Sequence, residues 1–441
     1  MVSITFVIPS VLNKGGGERR LDLNAESLSD AFVQATGILG DDFARRVLEP
    51  DGSPRSLINV YINGKNAKFT GGMNASLGAG DEVYILPAVA GGLQELSSAE
   101  LDRYSRQVML PHIGYEGQLK LRNAKVCVVG TGGLGNPITA RLAAMGVGTL
   151  RIVDRDVIET SNLHRQTMFT PDDVGRIKVE VAAERLRKMN PDCDVQPLAV
   201  SVNEFSAREV IDGCDVIIDA LDSVDARYAL NKACVGMNIP FVTGAAVGVS
   251  GQAFTVMPKQ GACYHCIFPD LDEDEMPTCG IEGVHPSILS IVGGFEVSEA
   301  IKVIMGKTPA LSDCMLHIDI GDDIAISHTR TFRAEECPVC GTSKPVDVTE
   351  SDIIVEELCG RNGGKRTFSI TPVHDIGIDM GGLEAQAKER NLKIENLGEL
   401  GISLRNDVIY VNLLQRGSAV VVGVSDQDDA VALYRSLLKY Y

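Results

Sequence analysis

Two Cys-x-x-Cys pairs, Cys263/Cys266 and Cys337/Cys340, stand with 70 residues between them. Each pair can present two thiolates from a tight turn, and together they complete a tetrahedral zinc site. The second pair reads Cys-Pro-Val-Cys-Gly, a knuckle form. A redox dithiol is the competing reading; two pairs without thioredoxin-like surroundings weigh against it.

A second constellation begins at Gly130-Thr131-Gly132-Gly133-Leu134-Gly135 and reaches an acid, Asp154, 19 residues after the last glycine. Glycines at this spacing let a backbone approach phosphates at a helix N-terminus, and an acid at that distance normally holds a ribose. Asp156, Ser161-Asn162-Leu163-His164-Arg165-Gln166 and Val174-Gly175-Arg176-Ile177-Lys178 follow. Asn162, Arg165, Gln166 and Lys178 form a donor cluster suited to phosphates held near Gly132 and Gly133. Hydride transfer has no use for so many donors beyond a pyrophosphate, whereas a triphosphate does. Taken singly, Arg165 and Lys178 each read as a solvated surface charge; the phosphate role rests on the cluster. Asp222 closes the apolar run Asp215–Leu221. There it could hold Mg²⁺ on a triphosphate, or cap the following helix, a task open to Ser223 as well.

These groups need a scaffold. Val126–Val129, the glycine turn, a helical pattern to Gly146 and an apolar run ending at Asp154 spell a βαβ unit. Continued alternation through Val247 predicts a Rossmann-like α/β domain with a largely parallel sheet covered on both faces. A long apolar helix is expected from about His285 to Met305. The domain is placed at 97–345, with residues 93–100 bridging from the unit before it and Ser98 proposed as a helix N-cap.

Residues 1–92 read as two strands, a helix from Ser27 with Leu28, Ala31, Phe32, Ala35 and Ile38 on one stripe, the strand Ile58–Ile62 turning at Asn63-Gly64, and a last strand, Glu82–Leu86. This ββαβ order is a β-grasp, and it runs into a diglycine, Gly91-Gly92. Without Cβ atoms such a tail can thread a narrow channel. Here Leu93 follows, so Gly92 has no carboxylate to activate unless a protease cuts after it. Residues 350–441 read as a small α+β domain, ferredoxin-like in outline, with no chemistry of its own.

The chain has 441 residues, enough for two or three domains. A net charge of −18 and a pI near 4.9 argue against nucleic-acid binding, which needs a basic face. No apolar run is long enough for a membrane span, and the N-terminus reads as a strand rather than a signal peptide. Eleven cysteines, an odd number over a long chain, do not make a disulfide framework. A cytoplasmic location is expected.

Residues 1–92 resemble the MoaD/ThiS group of ubiquitin-like sulfur carriers through Tyr61-Ile62-Asn63-Gly64-Lys65, Gly80-Asp81-Glu82-Val83 and Gly91-Gly92. Residues from about 97 to 345 resemble the MoeB/ThiF/HesA family, relatives of the ubiquitin-activating enzymes. The matching stretches are Arg103-Tyr104-Ser105-Arg106-Gln107, Gly130–Gly135, Ser161–Gln166, Val174-Gly175 with Lys178, Asp219-Ala220-Leu221-Asp222 and both CxxC pairs. The resemblance implies an ATP-dependent adenylyltransferase that joins the C-terminal glycine of a β-grasp protein to AMP. It implies ribose binding by Asp154, phosphate binding by Asn162, Arg165, Gln166 and Lys178, and Asp222 at Mg²⁺ and the reacting carboxylate. Asp156 and Leu221 belong to the same nucleotide set. Arg106 would reach into the partner's site across an obligate homodimer. Cys279, in Pro-Thr-Cys-Gly, matches a position that can form a thioester or persulfide with the carrier, calling for a sulfur donor; a small buried hydrophobe is its alternative. Ser223 departs from the family's frequent Asn. Molybdopterin, thiamine, thiolated tRNA and protein conjugation are all open as destinations. Two other readings compete: an NAD(P)-dependent oxidoreductase using the same glycine turn, and a non-catalytic fusion scaffold.

Overall fold

The computed structural model describes residues 1–9, 12–13, 17–55, 58–87, 96–269, 271, 282–342, 352–358, 365–374, 376–378 and 380–438. The diglycine Gly91-Gly92 and Cys279 lie outside them. The chain divides into two compact units, Met1–Asn123 and Ala124–Tyr441.

In the first unit, β1 (Val2–Ile8), β2 (Arg19–Ala25), β3 (Ile58–Ile62), β4 (Lys65–Asn66) and β5 (Glu82–Pro87) form a sheet in the order β2-β1-β5-β3-β4. Its central pair, β1 and β5, is parallel, as a β-grasp requires. Asn63 and Gly64 both take positive φ, 48° and 75°, which suits the two-residue hairpin between β3 and β4. Helix α1 (Leu28–Leu39) starts at Ser27, whose side chain accepts from the Asp30 N–H, and buries Leu28, Ala31, Phe32 and Ala35. Phe32 meets Phe6 edge-on at 5.2 Å. Ile38, expected on the same stripe, is exposed. The short helix α2 (Asp41–Val47) follows.

The sheet's other face is covered too. Helices α3 (Ser98–Val108) and α4 (Gly114–Asn123) bring Leu101, Tyr104, Val108 and Tyr115 against Val7, Tyr61, Tyr84 and Leu86. The Tyr61 hydroxyl donates to Asp102 Oδ1 at 2.7 Å and that of Tyr84 to the Met109 carbonyl at 3.1 Å. The N-cap of α3 is Ser97, one residue before the expected Ser98, because Glu100 at the third helical position completes a capping box with it.

The second unit carries an eight-stranded sheet: β6 (Lys125–Val129), β7 (Thr149–Val153), β8 (Asp194–Leu198), β9 (Val216–Asp219), β10 (Phe241–Val247), β11 (Ser250–Val256), β12 (Cys314–Asp319) and β13 (Ala325–Arg330). In the order β13-β12-β11-β10-β9-β6-β7-β8, the five strands from β10 to β8 are parallel and β11–β13 extend the edge antiparallel. The expected largely parallel Rossmann-like sheet is present. Its strand order reverses between β6 and β9, the switch point where such sheets place ligands. Helices α5 (Gly135–Met145), α6 (Lys178–Met189), α7 (Ala207–Ile211) and α8 (Val224–Met237) connect the parallel strands, with a short α9 (Tyr264–Ile267) beyond. The long apolar helix α10 (Pro286–Ile304) is capped by His285 and packs on α5 and on β9–β11.

The remaining sheet has six strands: β14 (Ile353–Glu357), β15 (Thr367–Pro372), β16 (Lys393–Leu397), β17 (Gly401–Arg405), β18 (Tyr410–Leu414) and β19 (Ala419–Val422), ordered β14-β15-β19-β18-β17-β16 and antiparallel throughout. Helices α11 (Met380–Glu389) and α12 (Gln427–Leu437) pack on it. The α+β expectation holds, but the ferredoxin-like outline does not. Four consecutive strands between α11 and α12 form a hairpin-linked meander, where a ferredoxin-like fold needs split βαβ crossovers.

Candidate active site and metal centre

Gly130 ends β6 with φ of +97°, and a Cβ there would lie 2.4 Å from the Ala220 carbonyl oxygen. At Gly135, the first residue of α5, a Cβ would lie 1.9 Å from Gly130 O. These glycines are demanded by the backbone's own fold at the switch point. Gly132 differs: a Cβ there would meet only Gln166 Nε2, at 3.7 Å. The turn is therefore open on the side facing Gln166.

Asp154, one residue past β7, is tied to this turn. Its Oδ2 accepts from the Thr131 N–H at 2.8 Å and hydroxyl at 2.9 Å, and its Oδ1 from the Asp156 N–H at 2.8 Å. Asp156 in turn holds Lys178: its Oδ2 is 2.9 Å from Lys178 Nζ, and its carbonyl accepts the Lys178 N–H. Lys178 is only 5% exposed, so the solvated-charge reading is overturned for it. Antiparallel pairing of Val157 with Ile177 brings the two segments together.

Asn162 is buried and joins Glu159 in a reciprocal capping box around a short helical turn, which shapes the loop carrying Arg165 and Gln166. Arg165 Nη1 donates to the Ser161 carbonyl at 2.8 Å. Gln166 is buried, and among the described residues its Oε1 has no hydrogen-bond partner. A buried amide oxygen without a partner, beside an open glycine turn, fits a site that a polar ligand completes.

Asp222 is exposed beyond β9, at the carboxyl end of the parallel strands. The preceding backbone is held from beneath: Leu221 N–H donates to Asp219 Oδ1 at 2.9 Å, and Arg227 Nη2 donates to the Leu221 and Gly244 carbonyls. Asp219 is fully buried; its Oδ2 accepts from the Thr243 hydroxyl at 2.6 Å and lies 3.2 Å from Arg227 Nε. Glu296 of α10 lies alongside, fully buried, with no hydrogen-bond partner for either carboxyl oxygen among the described residues. Burial, with Asp219 nearby, pushes its carboxyl well above the ordinary range; Arg227 opposes this only in part. The sequence reading missed this cluster. An acid in the middle of an apolar helix is its one sequence signal. Glu299, one turn on, is by contrast satisfied by Lys302, Thr255 and the N–H groups of Ala310 and Leu311.

Arg106 lies in the first unit, exposed on α3, its stem beside Gly64.

The four cysteines come together: the Sγ atoms of Cys263, Cys266, Cys337 and Cys340 all lie within 4.8 Å of one another. The closest separations are 3.4 Å for Cys266–Cys340 and 3.6 Å for Cys263–Cys337. Cross-pair contacts this short are what one tetrahedral ion demands and what two separate redox pairs do not. Burial works against a Cys337 thiolate, but the N–H groups of Cys340 and Val339 together with the Cys266 and Cys263 thiols outweigh it and bring its pKa down to about 7. Gly341 closes the knuckle where a Cβ would lie 2.4 Å from Glu335 O.

A cavity of about 500 Å³ lies elsewhere, lined by Arg151, Arg208, Asp212 and Arg416 among others, and shares no residue with these loops. Arg151 is spent on the Val210 and Asp212 carbonyls and Arg416 pairs with Glu209.

A glycine turn at the switch point of a five-strand parallel core defines an α/β nucleotide-binding protein. The chain belongs to the ThiF family, whose profile matches residues 104–339; residues 26–92 match the ThiS family. It is 40% identical over 261 residues to the SAMP-activating enzyme E1 of Haloferax volcanii, covering 59% of this chain and 96% of that protein. It is 37% identical over 251 residues to the sulfur carrier protein ThiS adenylyltransferase of Escherichia coli, covering 56% of this chain and 98% of that one. Among solved structures, that of Escherichia coli MccB is similar at 26% identity and a TM-score of 0.50, over 60% of this chain and 78% of that one.

Proposed function

We propose that this chain is an adenylyltransferase that activates the C-terminal glycine of a ubiquitin-like sulfur carrier with ATP. The carrier carboxylate attacks the α-phosphorus, the bond to the β,γ-diphosphate breaks, and the products are an acyl-adenylate and pyrophosphate. The observation that carries this reading is the meeting of the glycine turn, the Asp154–Asp156 loop and the buried Lys178 at one end of the parallel strands, in a chain of the ThiF family.

Asp154 anchors the turn and faces the ribose; Gly130, Gly132, Gly133 and Gly135 admit the nucleotide. Asn162 shapes the loop from which Arg165 and Gln166 reach the phosphates, and Lys178, steadied by Asp156, neutralises charge as pyrophosphate departs. Leu221 closes the nucleotide pocket beside Asp222, whose carboxylate holds Mg²⁺; bound there, the ion neutralises phosphate oxygens. Catalysis of this kind is mainly positioning and charge neutralisation.

Several further assignments belong to the same proposal. The enzyme is a homodimer, with Arg106 offered to the partner's site. Four thiolates hold one structural Zn²⁺. The Cys279 thiolate attacks the acyl-adenylate and expels AMP to form a thioester with the carrier. Alternatively, after taking a sulfane sulfur from a separate persulfide donor, it attacks through its outer sulfur and expels AMP to form an acyl disulfide. Residues 1–92 become a substrate after a protease cuts behind Gly92. Nine cysteines, all free among the described residues, suit a reducing cytoplasm. Among the described residues no helix is long and apolar enough to cross a membrane.

The test is ATP–pyrophosphate exchange by the full chain, with Mg²⁺ and a carrier ending in Gly-Gly, either residues 1–92 or a separate protein. Exchange dependent on all three components is expected. Its absence with every carrier, together with binding of a reduced nicotinamide cofactor, would replace this reading with the oxidoreductase.

A further inference from the structure

The six-stranded sheet of β14–β19 has two buried faces of different chemistry. On one, Phe368, Ile370, Ile402, Leu404, Val411, Leu413, Ala419 and Val421 form a core with α11 and α12. The alternate positions include Thr367, Ser369, Thr371, Ser403 and Asn412, and these are buried as well. Polar positions on a sheet normally meet water; here, alongside the buried Leu414, Val420 and Val422, they meet the segment from Asp154 to Lys178. Arg155 Nη1, between Asp154 and Asp156, donates to Glu356 Oε2 and to Ser369 Oγ, both at 2.9 Å. Ser403 Oγ donates to the Gly175 carbonyl at 3.3 Å, and the Leu400 N–H to Glu180 Oε1 at 2.5 Å.

Glu180 is two residues after Lys178 in the first turn of α6, so the two side chains leave the helix on nearly opposite sides. Lys178 turns to Asp156 and Glu180 to the Leu400 loop. The fit is close: a Cβ on Gly401 would lie 2.9 Å from Ile177 Cδ1, and the cavity left between Gly175–Glu180 and Gly398–Ser403 is only about 60 Å³. The unprotected alternative, an α6 N-terminus facing solvent, would leave Lys178 held from one side only.

We infer that residues 352–438 serve the nucleotide site as a positioning domain, with Glu180 and Arg155 as the positioning residues through which it fixes Lys178 and the Asp154–Asp156 loop. Docking of this sheet and nucleotide binding are then coupled, each strengthening the other to the same degree. The inference rests on the reading of residues 154–178 as the nucleotide site.

Two measurements on the full chain test it. The first needs no nucleotide: amide hydrogen exchange of residues 174–182 in the native chain, in Glu180→Ala and in Arg155→Ala. Faster exchange in both variants is expected, with protection returning in Glu180→Gln, which still offers Leu400 an acceptor. Unchanged exchange in the variants overturns the inference even if the chain proves to bind no ATP. The second is the KM for ATP in pyrophosphate exchange. Glu180→Ala should raise it about fivefold or more, the lower end of ordinary site–site coupling, while the KM for the carrier moves less and Glu180→Gln stays close to the native value. Exchange activity in the native chain with an unaltered ATP KM in Glu180→Ala overturns the coupling and leaves the adenylation reading intact.

Discussion

Replacing Lys178 with Ala separates what the residue does for the fold from what it does for the reaction. Its ammonium is almost fully buried and lies 2.9 Å from Asp156 Oδ2, while the Asp156 side chain is 18% exposed. Removing one member of a fully buried pair costs about 3–5 kcal/mol, because the other charge is stranded. Asp156 keeps some access to water, so the loss should fall nearer the roughly 1.5–3 kcal/mol of one charge-assisted hydrogen bond. That is less than the roughly 5–15 kcal/mol that holds a typical folded domain, so the variant stays folded. The reaction should suffer far more: loss of one preorganised positive group at developing charge lowers a rate by about 10²–10³. Adding Asp156→Ala removes the acid as well. Urea denaturation and pyrophosphate exchange on both single variants and the double variant complete the cycle. The double variant should recover stability relative to Lys178→Ala and recover no activity. If activity returns with stability, Lys178 is a structural residue and its assignment to the phosphates is wrong.

Glu296 gives a pH signature. Its carboxyl is held well above its ordinary 4.5 by burial, so folding takes up a proton that the unfolded chain releases above that value. Its contribution is fully present below about pH 4.5 and is lost as pH rises toward the folded value. Glu296→Leu should therefore raise the melting temperature at neutral pH, with the gain shrinking toward acid; a gain independent of pH contradicts this. The glycine turn predicts a contrast: Gly135→Ala forces a methyl onto Gly130 O and should cost about 1–3 kcal/mol or more, whereas Gly132→Ala should melt normally yet raise the KM for ATP. Equal melting temperatures for the two would refute the close approach. Cys337→Ser should lower bound zinc, measured by elemental analysis, from about one equivalent per chain and lower the melting temperature. Undiminished zinc with three thiols remaining would rule out the four-cysteine centre as the site.

The parallel sheet was legible because its strands are continuous apolar runs separated by helical patterns, and no other arrangement buries both faces of such strands. The β-grasp was legible from Asn63-Gly64 and the alternation around it. The four cysteines were legible because chelation fixes their spacing within each pair, although nothing in the sequence says that the pairs face each other. The burial of Lys178 was hidden. A lysine at a helix start normally reads as surface, and only the pairing of Val157 with Ile177, 20 residues apart, closes the loop over it. The Asp219–Arg227–Glu296 cluster was hidden for a similar reason: its members come from β9, α8 and α10, and no local pattern links them.

The C-terminal sheet shows where binary patterning misleads. Alternation of Ser, Thr and Asn with Phe, Ile, Leu and Val is the pattern of a strand with one wet face, whereas the order of strands and helices marks residues 350–441 only as a small α+β domain of unknown role. The same alternation is equally suited to a sheet docked on loops, because loops offer unpaired carbonyls and charged side chains that hydroxyls and amides can satisfy while apolar side chains cannot. Ser403 on Gly175 O and Ser369 under Arg155 are instances of this. What separates the two cases in sequence is residue size. A solvated face favours long charged side chains, whereas the buried positions of this face pair Thr367, Ser369, Ser403 and Asn412 with the apolar Leu414, Val420 and Val422, with Gly401 at the closest approach. Short polar residues that are buried beside apolar ones therefore point to a docking face rather than to a surface, and on the inference that residues 352–438 are a positioning domain this face holds the loop from Asp154 to Lys178.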